Sequence, residues 1–216
     1  IPTDAWPDMG IWGRTHVSRR LVAHGDTVYV TMGGDSPVTE VDCRAGEILR
    51  RLEGTEGAAG LRCLDDRLIV VKPQGSLPKW GADSPRPMDL MVFDVESGRR
   101  LWNATVSYLR LTTTAAKAGR IYYFGGDSVH CMDAGDGSKL WETGPFRLGK
   151  KPDPKLVAAS DALLVSVGGK VFGLSLKTGE ELWSRPANEV GYRSSSRHLP
   201  FVINGFLNGY VDTATG

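Results

Sequence analysis

Four stretches decide the reading: EVDCRAGEILR (40–50), VFDVESGRRLW (92–102), CMDAGDGSKLW (131–141) and GLSLKTGEELW (173–183). A fifth copy opens with YVDTATG (210–216). Each has an apolar run that ends at Asp42, Asp94, Asp133, Ser175 or Asp212, then three residues, then Gly46, Gly98, Gly137, Gly179 or Gly216. Those glycines are 52, 39, 42 and 37 residues apart. A four-stranded propeller blade takes about 40–50 residues, so the period is that of a blade. The short acidic or hydroxyl side chain can accept turn N–H groups, and the glycine can take positive φ. These are tight turns between strands. Leu101-Trp102, Leu140-Trp141 and Leu182-Trp183 follow in the next strand. A tryptophan at one offset in three repeats points to packing between adjacent blades. The first repeat has Arg50 there, so its docking contact must differ.

Working outward, each repeat also contains a hairpin. Strand, turn and strand read as 20–23, 24–26 and 27–31 in the first repeat, and as 61–64, 65–66 and 68–71 in the second. The third reads as 113–117, 118–119 and 121–124, and the fourth as 156–158, 160–161 and 163–166. In the fifth, Phe201–Ile203, Asn204-Gly205 and Phe206-Leu207 play these parts, with Gly209–Val211 as a third strand. The second strands are near-continuous in β-branched and aromatic residues, as expected of strands covered on both faces. The helix-like window Leu109–Ala118 is rich in threonine and reads equally as a strand.

The sequence therefore predicts an all-β fold: a β-propeller of four-stranded antiparallel blades, with four complete repeats and a partial fifth. Residues 1–216 form one domain, with repeats at about 17–54, 58–106, 111–144, 155–186 and 198–216. Closed propellers have about 4–8 blades. The expectation is a fragment of a seven- or eight-bladed ring, with missing blades or another chain covering the open edges. A self-closed five-bladed ring, completed by residues 6–17, is the alternative.

Composition excludes several classes. Net charge is +1, from 26 basic and 25 acidic residues, with no basic block, so no nucleic-acid surface is expected. No run of apolar residues reaches the length of a membrane span, and no signal peptide is visible. Cys43, Cys63 and Cys131 form neither a C-x-x-C pair nor a zinc motif. Buried free thiols are the first reading, and a Cys43–Cys63 disulfide is the alternative. Gly33-Gly34-Asp35 and Gly125-Gly126-Asp127 follow strands but lead into no helix and no Lys-Ser/Thr, so they are blade turns and not phosphate loops.

The candidate binding segments are loops. Lys72–Pro87 is an insertion that accounts for the 52-residue interval, and Gly144–Pro154 precedes the fourth repeat. Of four histidines, His24 is expected in an exposed turn and His130 on a sheet surface. His16 and His198 stand beside arginines. The 188–198 loop brings together Tyr192, Arg193 and His198, residue types able to move a proton and hold an anion. That trio is the only catalytic candidate offered, and it suits a polysaccharide lyase or hydrolase.

The motif resembles the pyrroloquinoline-quinone (PQQ)-type repeat, carried here by FDVESGRRLW, CMDAGDGSKLW, SLKTGEELW and VDTATG. RLVAHGDTVYVTMGGDSPVTEVDCRAGEIL and GYRSSSRHLPFVINGFL are further similar to extracytoplasmic repeat proteins of planctomycete-type bacteria. The resemblance implies one of two classes. Quinoprotein dehydrogenases hold PQQ over calcium, with an acidic base, a vicinal cysteine pair and a tryptophan. Scaffold propellers of outer-membrane assembly have the same repeat without cofactor. This sequence has no Cys–Cys pair and no assignable calcium cluster, because the repeated aspartates are already explained by turns. The expectation is a binding or scaffolding module with a protein or carbohydrate ligand, periplasmic or otherwise extracytoplasmic, with no metal site. A quinoprotein oxidoreductase fragment is one alternative and the carbohydrate-active propeller the other.

Overall fold

The structure, a computed structural model, describes residues 20–33, 35–75, 86–149, 154–187, 198–203 and 206–212. Four four-stranded antiparallel sheets, consistent with propeller blades, follow one another along the chain. The first is β1 (Leu21–His24), β2 (Thr27–Thr31), β3 (Val38–Asp42) and β4 (Ile48–Leu52). The second is β5 (Gly60–Leu64), β6 (Arg67–Pro73), β7 (Arg86–Asp94) and the first half of β8 (Arg100–Lys117). The second half of β8 opens the third, which continues through β9 (Arg120–Gly125), β10 (Ser128–Asp133) and β11 (Lys139–Glu142). The fourth is β12 (Lys155–Ala158), β13 (Ala162–Val167), β14 (Lys170–Ser175) and β15 (Glu181–Pro186). Finally β16 (His198–Ile203) pairs with β17 (Phe206–Asp212).

Two details differ from the sequence reading. All of the helix-like window but Ala118 lies within β8, which runs without a break across the expected boundary between the second and third repeats. Residues 107–117 contain no Gly, Pro, Asn or Asp that would end a strand there. In the fifth repeat, Phe206-Leu207 and Gly209–Val211 are one strand, β17, and not two. A single residue, Asn208, separates them, too few for an antiparallel turn.

The repeated turns work as their residues require. Asp42 Oδ1 accepts the N–H groups of Arg44 and Ala45 at 2.8 and 2.7 Å. Asp94 Oδ1 accepts from Ser97 N at 2.8 Å and Ser97 Oγ at 2.5 Å. Ser175 Oγ substitutes, accepting from Lys177 N and Thr178 N at 3.3 and 3.1 Å. The same bonds hold the Asp42 and Asp94 carboxyls below their ordinary range.

Each outer strand then carries a β-bulge, between Glu40/Val41, Val92/Phe93, Cys131/Met132 and Gly173/Leu174 on the facing strand. The extra residue is the leucine of the motif: Leu49, Leu101, Leu140 or Leu182. Leu49, Leu140 and Leu182 are exposed there. A bulge puts the residues on either side of it onto opposite faces of the strand. Arg100 thus faces with Phe93, and Trp102 with Val92.

The chain forms two compact units, one of residues 1–111 with 134–138, the other of 112–133 with 139–216. In the first, Tyr29, Val38, Leu52, Leu61, Leu68, Val70, Met91 and Phe93 join the first two blades in one core. In the second, Tyr122, Phe124, Val129 and Cys131 pack on Leu156, Leu163, Val165 and Leu174.

Candidate functional site

Blade contacts reuse one acceptor, the carbonyl just after the turn aspartate or, in the fourth blade, after Ser175. Tyr29 Oη donates to Val95 O at 3.2 Å, and Tyr122 Oη to Leu176 O at 3.1 Å. Trp102 Nε1 donates to Ala134 O at 3.0 Å, and Trp141 Nε1 to Leu176 O at 3.4 Å. The packing role expected of the periodic tryptophans is met by these two. Trp183 differs: its indole lies across Gly173 of its own blade, and its N–H has no partner among the described residues.

The first blade departs furthest. Cross-strand from Trp102, Trp141 and Trp183 stand Val92, Cys131 and Gly173, all without charge. Cross-strand from Arg50 stands Glu40, only 4% exposed. Arg50 Nε meets Glu40 Oε2 at 2.5 Å, and Nη2 donates to Glu96 O at 2.8 Å. Burial raises the Glu40 carboxyl above its ordinary value, and Arg50 pulls it back in part. Tyr29, on the other side of Glu40, is pushed up to about 12 by burial and then by that carboxylate. The replacement of tryptophan by Arg50 is therefore compensated inside the blade. The compensating Glu40 is visible in sequence as the first letter of each quoted stretch: E with R, but V, C and G with W.

Arg50 of this pair also lines an open cleft of about 550 Å³, together with Arg51, Leu52, Glu53, Gly54, Phe93, Gly98 and Arg100. Cationic side chains converge on it. The Arg100 guanidinium reaches Gly54, with Nη1 3.6 Å from where a Cβ would stand, and Lys72 Nζ donates to Gly54 O at 2.9 Å. Among the described residues neither Arg51 nor Arg100 has a carboxylate partner, whereas Arg50 is neutralised by Glu40. Its lining side chains carry more positive than negative charge, with Arg51 and Arg100 set against Glu53. Sequence reasoning did not find it, because its arginines come from two repeats.

Several of the residues proposed from sequence fall beyond the described part of the chain. Tyr192, Arg193 and His16 lie outside the described residues, and His198 is placed only as the first residue of β16. His24 ends β1 and is half-buried, where an exposed turn was expected. His130 stacks on Tyr123 with ring centroids 4.8 Å apart, its Nε2 3.3 Å from Gly125 O and its Nδ1 3.6 Å from Glu142. With both nitrogens against acceptors, it is a packed residue of the sheet. All three cysteines are free, and Cys43 is exposed and not buried, because it sits in the Asp42–Gly46 turn.

The expected loops also resolve in part. Lys72-Pro73 and Arg86-Pro87 extend β6 and β7, and 76–85 lie outside the described residues. The part of Gly144–Pro154 that is described is packed: Phe146 tilts against Phe124 at 5.8 Å and meets Phe172 edge-on at 5.0 Å.

A family profile described as outer membrane protein assembly factor BamB matches residues 86–204, more than half of the chain. The chain belongs to this PQQ-like, BamB-type β-propeller family. No curated protein matches it. Among solved structures, BamB from Moraxella catarrhalis is 19% identical, with a TM-score of 0.52 over 78% of this chain and 50% of that one. A quinohemoprotein alcohol dehydrogenase from Pseudomonas putida HK5 is 14% identical, with a TM-score of 0.55 over 88% of this chain and 37% of that one. The computationally designed Ika4 protein is 15% identical, with a TM-score of 0.53 over 72% of this chain and 88% of that one. At such identities these likenesses show the fold. The chain spans about half the length of the Moraxella BamB.

The dehydrogenase branch of such folds needs a calcium site under its quinone. Among the described residues no three His, Cys, Asp or Glu side chains come together to hold a metal ion. Asp42 and Asp94 are committed to their own turns, and Cys43, Cys63 and Cys131 lie apart on a turn, β5 and β10.

Proposed function

We propose that this chain is a non-catalytic binding and scaffolding module of an extracytoplasmic assembly. On this reading it is part of a seven- or eight-bladed propeller whose further blades, or a partner chain, complete the ring. The observation that carries the reading is the BamB-type profile over residues 86–204, a family described by its part in outer-membrane protein assembly. The commitment of Asp42 and Asp94 to their turns supports it.

The test is calorimetric titration of the purified chain with outer-membrane assembly proteins, beside a parallel incubation with PQQ and calcium. Saturable binding of an assembly protein, with no protein-bound quinone absorbance, is the expected result. A bound quinone spectrum with alcohol-dependent dye reduction overturns the reading in favour of an oxidoreductase.

A further inference from the structure

We infer that the cleft between β4 and the turn after β7 is an anion-binding site that receives a carboxylate-bearing, acidic segment of a partner protein. The inference rests on the scaffolding reading for its partner, and on the cleft alone for its chemistry.

Three observations carry it. The first is uncompensated charge. Arg51 and Arg100 flank the cleft without a carboxylate partner among the described residues, and Lys72 reaches the same Gly54 that Arg100 covers. Like charges gathered at one place repel one another, and an anion relieves that repulsion. Guanidinium groups add the planar, two-pronged geometry that carboxylates fit. The second is selective neutralisation. Arg50, next along the strand, is engaged by Glu40 and Glu96 O, and neither Arg51 nor Arg100 takes part in that ion pair. The third is the backbone beside them. Among the described residues β4 is paired only with β3, so its other edge presents backbone N–H and C=O groups next to the arginines. An extended segment can pair with such an edge while its side chains reach neighbouring pockets.

The same observations choose among anions. Glu53 lines the cleft, and the net charge of the whole chain is +1. A dense polyanion such as nucleic acid is poorly served by a wall that contains a carboxylate. Separate acidic side chains on an extended backbone can reach the arginines and avoid Glu53.

The experiment uses the purified chain and a short fluorescein-labelled oligo-glutamate peptide, read by anisotropy. The wild-type chain is compared with Arg51→Glu/Arg100→Glu, with Arg51→Lys/Arg100→Lys, and with Arg185→Glu on the fourth blade as a charge control. Expected are saturable binding by wild type and Arg185→Glu, a loss of about tenfold or more in the Glu pair, and an intermediate loss in the Lys pair. Inorganic phosphate at millimolar concentration should leave the peptide bound. No saturable binding, an equal loss in Arg185→Glu, or full displacement by phosphate overturns the inference. The far-ultraviolet circular dichroism of each variant must match wild type, and the Lys pair keeps the test valid if the Glu pair misfolds. If assembly proteins bind the Glu pair as well as wild type, this inference falls and the scaffolding reading stands. If the peptide binds through the arginines and no assembly protein binds, the scaffolding reading falls and the site stands.

Discussion

The indole of Trp102 covers Gly137 so closely that a Cβ on the glycine would lie 2.8 Å from the ring, and Gly137 also holds φ at +76°. Two independent demands therefore meet at one residue. The turn needs a left-handed backbone, and the tryptophan of the preceding blade needs an empty face to lie on. Gly179 repeats the arrangement under Trp141, with a Cβ 2.6 Å from the ring at φ +76°. The spacing from glycine to tryptophan in the repeat is thus a docking rule as well as a turn rule.

Gly137→Ala should destabilise the first unit by about 2–4 kcal/mol, combining left-handed strain with overpacking. Trp102→Phe keeps the apolar contact and loses the N–H bond to Ala134 O, and should cost about 1–2 kcal/mol. Urea denaturation followed by fluorescence separates the two. Equal stability of Gly137→Ala and wild type would refute the docking rule.

The first blade solves the same junction with charge. A buried charge left without its partner is costly, whereas a buried pair replaced by apolar groups of similar shape is often neutral or stabilising. Arg50→Ala, which strands Glu40, should therefore cost about 3 kcal/mol. Glu40→Val with Arg50→Trp recreates the row of the second blade and should come within about 1 kcal/mol of wild type or exceed it. A double-mutant cycle by denaturant titration should show strong coupling, and additive single effects would contradict the pairing.

Legibility followed the period. Turn aspartates, turn glycines and docking tryptophans announce themselves because several repeats carry them at one offset. Glu40 was missed because one acidic residue in a strand carries no message until its cross-strand partner is known. The arginine cleft was missed for the same reason: Arg51 and Arg100 sit in different repeats, and only the fold brings them to one cleft. The unbroken β8 was hidden because a blade boundary was expected to carry a turn, and none is encoded at 107–117. Trp183 obeys the sequence motif and departs from its packing, since Gly173 gives the indole a resting place in its own sheet.

The thiols and phenols should respond to alkali in a set order. Burial pushes Cys63 up to about 11 and Cys131 up to about 12, and Tyr29, Tyr122 and Tyr123 to about 12. All five release their protons more readily once unfolded. Their contribution to stability is full below the unfolded values and is lost as pH rises from about 9 to 12. Stability should fall across that window, and phenolate absorbance should appear together with loss of circular dichroism. Iodoacetamide at mildly alkaline pH should modify Cys43, which is exposed, and spare Cys131, which is buried, until the chain unfolds. Labelling of Cys131 in the native state would contradict this packing.

Phe146 tests whether the segment after β11 is a structural strap. Its ring sits between Phe124 of the third blade and Phe172 of the fourth, and its N–H donates to Asp127 O at 2.8 Å. Arg147 O lies against Gly168 so closely that any side chain there would strike it. The segment is therefore held at two adjacent points, one apolar and one steric. Phe146→Ala removes the apolar one and should destabilise the second unit by about 2–3 kcal/mol, the ring being half-buried. Gly168→Ala attacks the steric one, at a φ of +60°, and should push the strap away without emptying the aromatic pocket. Hydrogen exchange distinguishes the two variants. Phe146→Ala should speed exchange at Phe146 and through β10 and β13 alike, and Gly168→Ala should speed it chiefly in the strap. If neither variant alters exchange at Phe146 N–H, the segment is a surface loop and the aromatic contacts do not hold it.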